Sequence, residues 1–230
     1  MRPNGQQNIL HDSKYSRPPI VTANGEAMRA LRAYNCDPRR PRDTLLRVKK
    51  ALTAKAVGIG VKPKTKDEAL RCVEIIELFE RCENALGLRA MALSEPPHFD
   101  LLVIEGVMVS IQPDFLVDGG RGRVGAGMLR VAKSPDPDAC IKDETRQRRG
   151  EHRRELARYM VALLQLLLDA QEGRLGTPHR DLCFVADVRL GERIGPAPDH
   201  TVRLRDIRGA CQQISKLWPT IEPKASLFKI

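Results

Sequence analysis

Apolar residues at Leu70, Val73, Ile76, Phe79 and Leu86 recur at helical spacing, while Glu74, Glu77, Arg81 and Asn84 fall on the opposite face. Thr65-Lys-Asp-Glu68 precedes them as a capping box, and Gly87 stands where a left-handed C-cap belongs. The pattern predicts a helix over 65–86. The period then changes to two. Val107, Val109 and Ile111 alternate with Met108, Ser110 and Gln112, which is the signature of a half-buried strand. This strand continues through Pro113-Asp114 to Val117, after Phe99–Ile104 and a Glu105-Gly106 turn. Asp118-Gly-Gly-Arg-Gly-Arg123 is a second turn, leading to a strand that ends at Met128-Leu-Arg-Val-Ala-Lys133. Together they predict an antiparallel three-strand meander over roughly 100–133.

A long helix is predicted from about Asp143 to Glu172, charged in its first half and apolar nearly all round in its second. Leu182–Val188 reads as a strand added to the same sheet. Ile207, Ala210, Cys211, Ile214 and Leu217 mark an amphipathic helix ending at Trp218-Pro219. A short helix fits Thr44–Leu52, and a glycine- and proline-containing loop fits 55–66. Residues 1–42 are rich in Arg, Pro and Asn and read as a flexible basic arm. That leaves one α/β domain over 43–219 and a loose tail over 220–230. No internal repeat is present.

Charge narrows the partners. The 39 Lys and Arg exceed the 29 Asp and Glu, giving +10 over 230 residues. Such an excess favours polyanions, because each phosphate contact releases condensed counterions. With only 5 Phe, 3 Tyr and 1 Trp, a surface of stacked aromatics for single strands is disfavoured. Duplex DNA is the expected nucleic acid. Six scattered cysteines without a CxxC pair argue against a disulfide framework or structural zinc and for reduced thiols in the cytoplasm. The densest apolar run, Met160–Leu168, is too short for a membrane span, and the N-terminus lacks the apolar stretch of a signal peptide.

Several chemistries lack their motifs. No HExxH, GxSxG or Walker loop occurs, and Gly120-Arg-Gly-Arg-Val-Gly125 leads into a strand, so it reads as a hairpin turn and not as a dinucleotide fingerprint. Arg121 and Arg123 on that turn are candidate phosphate contacts. So are Arg146, Arg149, Arg153 and Arg154 in the basic first half of the long helix. The competing reading of this helix is a solvated face laced by pairs such as Glu151–Arg154 and Glu155–Arg158.

Pro113-Asp114 on one strand and Lys133 on the next, within the order helix, three strands, helix, strand, resemble the PD-(D/E)xK or restriction-endonuclease-like superfamily over residues 65–190. The resemblance implies an αβββαβ core, a mixed sheet flanked by helices. It makes Asp114 a ligand for Mg²⁺ and Lys133 the catalytic lysine, with the metal activating water and neutralising developing charge. The superfamily's second acid would fall at Val131, beside Arg130, and neither can bind a cation. A migrated carboxylate (Asp118, Asp136, Asp138, Glu77 or Glu80) would be needed for an active Mg²⁺-dependent nuclease. The leading expectation is a nucleic-acid-binding protein with an eroded or rearranged catalytic site. A different class, an interaction scaffold assembling through the Trp218 helix and compatible with a homodimer, is the other alternative.

Overall fold

The computed structural model describes residues 3–15 and 24–222. Six helices are present among them: α1 (Pro3–Tyr15), α2 (Gly25–Cys36), α3 (Arg42–Val57), α4 (Pro63–Leu86), α5 (Asp143–Asp169) and α6 (His200–Leu217). The strands are β1 (Ala92–Ser94), β2 (Leu102–Ile104), β3 (Val107–Val109), β4 (Phe115–Asp118), β5 (Arg123–Arg130), β6 (Thr177–Pro178), β7 (Phe184–Asp187) and β8 (Glu192–Ile194). The chain is a mixed α/β protein. Its main sheet runs β1-β4-β5-β7-β8, with β6 paired to β5. β1, β4 and β5 are antiparallel neighbours, β7 lies parallel to β5, and β8 is antiparallel to β7.

The antiparallel meander exists, but it is made of other strands than expected. Residues 102–109 form a separate two-stranded sheet, β2 with β3, and β1 takes the place foreseen for 99–104. The run from Val107 to Val117 is broken because Pro113 offers no N–H to a ladder. Just before it, the Gln112 side chain donates to the Phe99 carbonyl at 2.7 Å, tying the hairpin's exit to its entry. The chain then enters the main sheet afresh at Phe115. Pro113-Asp114 therefore lie at the start of a strand and not near the end of one.

Helices cover both faces. On one, Leu31, Tyr34, Leu52, Ile76 and Phe79 from α2, α3 and α4 bury Phe115, Val117, Leu129, Val131 and Ala186. On the other, Val161, Leu164 and Leu168 of α5, Cys211 of α6 and Leu102 and Ile104 of the hairpin cover Ala126, Cys183 and Val185. The alternation along β5 and β7 sends successive side chains into the two cores.

Two local expectations shift. α4 starts at Pro63, whose fixed φ suits the first helical position, so Thr65 lies inside the helix and makes no cap bond. Its buried stripe is Ala69, Cys72, Ile75, Ile76, Phe79, Glu83 and Leu86, and Leu70 is 55% exposed. Gly87 does close the helix, with φ 62°. The second shift concerns residues 1–42, expected as an arm. They contain α1 and α2, and α2 buries Ala27, Ala30, Leu31 and Tyr34 in the domain core. Of the expected tail, 223–230 lies outside the described residues.

β5 carries Gly125 and Gly127 for a steric reason. A Cβ on Gly125 would strike the Leu182 backbone, and one on Gly127 would come within 2.7 Å of Phe184 Cε1. The close approach of the 179–184 segment thus requires glycine at both positions. No helix among the described residues is long and apolar enough to cross a membrane.

Candidate functional site

Asp114 sits one step beyond the Phe115–Gly127 pair, opposite Met128, and its N–H donates to the Gly127 carbonyl at 2.8 Å. The side chain is buried, 3% exposed. Both carboxylate oxygens are engaged: Oδ1 accepts from Arg32 Nε at 2.5 Å, and Oδ2 from the Leu129 N–H at 2.6 Å. Burial pushes the Asp114 carboxyl above the usual carboxylate range, against the opposing pull of the Leu129 N–H and Arg32. A cleft of about 610 Å³ opens over this carboxylate. Arg29 and Arg32 of α2, Glu95 to His98, and Gln112 line it. Cys36, one turn beyond Arg32, is pushed up to about 11 by burial and by the negative charge of Glu95, so it is no thiolate nucleophile.

Lys133 is not part of this cleft. β5 ends at Arg130, and Lys133 is exposed on the following loop, four residues past Leu129. Val131 is buried in the core under α2–α4. Arg130 is turned inward: its Nη1 donates to the Arg153 carbonyl at 2.7 Å, and Nε lies 3.8 Å from Asp187. It therefore reaches neither a metal nor a phosphate.

The expected basic contacts divide. Arg121 is exposed at the tip of the β4–β5 turn, with φ 54°. Arg123 bends back, donating to the Gly119 carbonyl at 2.7 Å. Arg146 and Arg149 are exposed on α5, each holding the preceding loop through the Cys140 or Asp136 carbonyl. Arg154 forms a bidentate pair with Glu192, at 2.8 and 2.7 Å, which neutralises it.

Arg153 cannot contact a duplex: it is fully buried, with Nε 2.5 Å from Asp187 and its other nitrogens on the Ala132, Lys133 and Pro135 carbonyls. The pairs Glu151–Arg154 at 3.5 Å and Glu155–Arg158 at 3.1 Å lace the same helix.

At Asp114 each oxygen already accepts one hydrogen bond, and the Arg32 guanidinium beside Oδ1 puts a positive charge where a cation would have to approach. No group of three or more His, Cys, Asp or Glu side chains that could hold a metal occurs among the described residues. Three of the five acids named as replacements have other partners: Glu80 pairs with Lys49 at 2.6 Å, Asp118 accepts from the Gly120 N–H, and Asp136 from the Asp138 N–H.

Arg32 is the residue that sequence reading missed. The signal was present in Ala27, Ala30, Leu31 and Tyr34, a helical stripe inside the stretch read as an arm. No known protein family, curated protein or solved structure matches this chain.

Proposed function

We propose that this chain binds nucleic acid, on a core related to the PD-(D/E)xK nucleases, and that its former catalytic position no longer works through a metal. One observation carries the reading. α4, β1, β4, β5, α5 and β7 follow the order helix, three antiparallel strands, helix, parallel strand, with Pro113-Asp114 entering the second strand and Arg32 bonded to Asp114 where that chemistry would need a cation. The guanidinium is a fixed positive charge that needs no metal, and it lines a cleft open to a phosphate. The +10 charge supplies the attraction.

Fluorescence anisotropy with labelled duplex DNA over a salt series tests it. Each neutralised phosphate contributes about −0.9 to the slope of log K against log salt. A steep slope supports the reading, and absence of binding at low salt overturns it. The scaffold alternative draws on a different observation. Val103 and Met108, paired across the hairpin, are exposed, and an apolar pocket of about 390 Å³ lies between Met108, Ile214 and Trp218. Concentration-dependent association lost in Trp218→Ala, without DNA binding, would favour assembly instead.

A further inference from the structure

The buried and half-buried guanidinium groups of α5 and α6 face carboxylates: Arg153 meets Asp187, Arg154 meets Glu192, and Arg203 meets Glu155. One cluster departs from that pattern. Arg40 before α3, Arg42 at its start, Arg89 in the 3₁₀ turn after α4 and Arg193 on β8 gather around Glu83 and Met91. Arg42 and Arg89 share the one buried carboxylate, Glu83, while Arg40 and Arg193 meet Met91.

Their bonding is incomplete. Arg89 holds Glu83 at 2.7 Å and the Tyr34 hydroxyl at 2.8 Å, leaving Arg42 a long 3.4 Å contact with a side chain 71% exposed. Arg193 is exposed and sets Nη1 on the Met91 thioether sulfur at 2.9 Å, a weak acceptor for a charged donor. Arg40 gives Nη2 to the Met91 carbonyl at 2.9 Å, while its buried Nε has no hydrogen-bond partner. Burial, and the positive charge of Arg89 next to it, push the Arg40 guanidinium down from its ordinary range. The rim acid Asp37 turns its carboxylate to the Arg39 N–H. An unneutralised set of planar donors has one natural complement, a compact oxyanion with several acceptor oxygens.

We propose that Arg40, Arg42, Arg89 and Arg193 form a phosphate-binding site, filled, on the nucleic-acid reading above, by a phosphate of the duplex backbone. The site follows the arginines of the Asp114 cleft along the chain. α2 carries Arg29 and Arg32 and ends at Cys36, and Arg40 follows four residues later, so the two sites are successive along α2 and the turn after it. A backbone crossing from Arg29 and Arg32 to Arg40 and Arg193 meets guanidinium along its path. The charged first half of α5 is then secondary, since its arginines hold loops and carboxylates.

The test compares the full-length wild type with Arg42→Gln/Arg193→Gln, both exposed positions, and with Arg146→Gln/Arg149→Gln as the control on α5. Labelled duplex DNA is titrated over a salt series, and inorganic pyrophosphate is added in a parallel thermal-shift series. The cluster pair should lower the salt slope by about 2, one unit per lost phosphate contact, and weaken binding at least tenfold, while the α5 pair changes little. Arg42→Lys/Arg193→Lys, which keeps charge and loses the fork, should lie between and covers the case of a poorly folded glutamine pair.

Wild-type DNA binding unaffected by either cluster pair overturns the site and leaves the nucleic-acid reading standing. Failure of the wild type to bind DNA, together with pyrophosphate stabilisation lost in the cluster pair, keeps the site and overturns the nucleic-acid reading. No DNA binding and no pyrophosphate effect overturns both.

Discussion

Replacing Arg153 by Met separates a structural arginine from a ligand-contacting one. The guanidinium makes one charged bond at 2.5 Å to Asp187 and reaches three loop carbonyls, Ala132 at 2.7 Å, Pro135 at 3.0 Å and Lys133 at 3.3 Å, from a fully buried position. Removing one partner of a buried ion pair costs about 3–5 kcal/mol, because the other charge is left desolvated. Asp187 would keep the Arg189 and Leu190 N–H groups, both at 3.1 Å, and the more distant Arg130. These spare it full isolation, so the lower part of that range, about 3 kcal/mol, is expected. For a chain of this size each kcal/mol moves the midpoint by about 2–4 °C, giving a fall of roughly 6–12 °C.

Urea denaturation at neutral pH measures the free energy, and calorimetry the midpoint. DNA affinity of the folded variant should match the wild type, because this guanidinium never reaches solvent. A stability loss below about 1 kcal/mol would refute the clamp. A selective loss of DNA affinity with unchanged stability would restore Arg153 as a phosphate contact.

Burial pushes the Glu83 carboxyl up, but hydrogen bonds from Arg89 and Tyr34 and the charge of Arg42 outweigh it and hold it below its ordinary range. The stability it contributes is therefore present above pH of about 4.3 and lost as pH falls through the folded value. Glu83→Gln should be less stable than wild type at neutral pH by about 1.5–3 kcal/mol, with the gap closing on acidification in parallel denaturation series; a gap independent of pH would contradict the assignment. Gly125→Ala drives a methyl into the Leu182 backbone and should cost about 1–3 kcal/mol or more by the same assay, where a neutral result would show that the 179–184 segment yields freely. Val131→Glu, which restores the superfamily's spacing from Lys133, should destabilise the fold without creating cleavage, because position 131 faces the core; Mn²⁺-dependent cleavage by this variant would contradict that placement.

What was legible in the sequence was what local periodicity and termini encode. Gly87 ended α4, Asp143 began α5, and the Gly120–Gly125 run was a hairpin turn and not a nucleotide loop. β1 was missed because three residues, Ala92-Leu-Ser94, carry no period. The hairpin 102–109 looked like part of the meander because its alternation is that of any half-buried strand, and it is set apart by the break at Pro113, the tie from Gln112 to Phe99 and its packing in the core of α5 and α6. At the site, Asp114 was found at the start of the strand after Pro113, whereas Lys133 was given a role by its spacing alone. The bond from Arg32 spans 82 residues of sequence and leaves no local trace. Likewise the basic run on α5 resembled a phosphate-contacting face until Glu192 and Asp187, brought over from neighbouring strands, neutralised Arg154 and buried Arg153.

Affinity for duplex DNA, measured on one preparation in EDTA and again in excess Mn²⁺ with the integrity of the DNA followed in parallel, tests the central claim most directly. With Arg32 already supplying the positive charge at Asp114, the expected result is equal affinity in both conditions and intact DNA. Binding that requires Mn²⁺, or cleavage in Mn²⁺ abolished by Asp114→Ala, would show that a metal works at Asp114 and contradict the account.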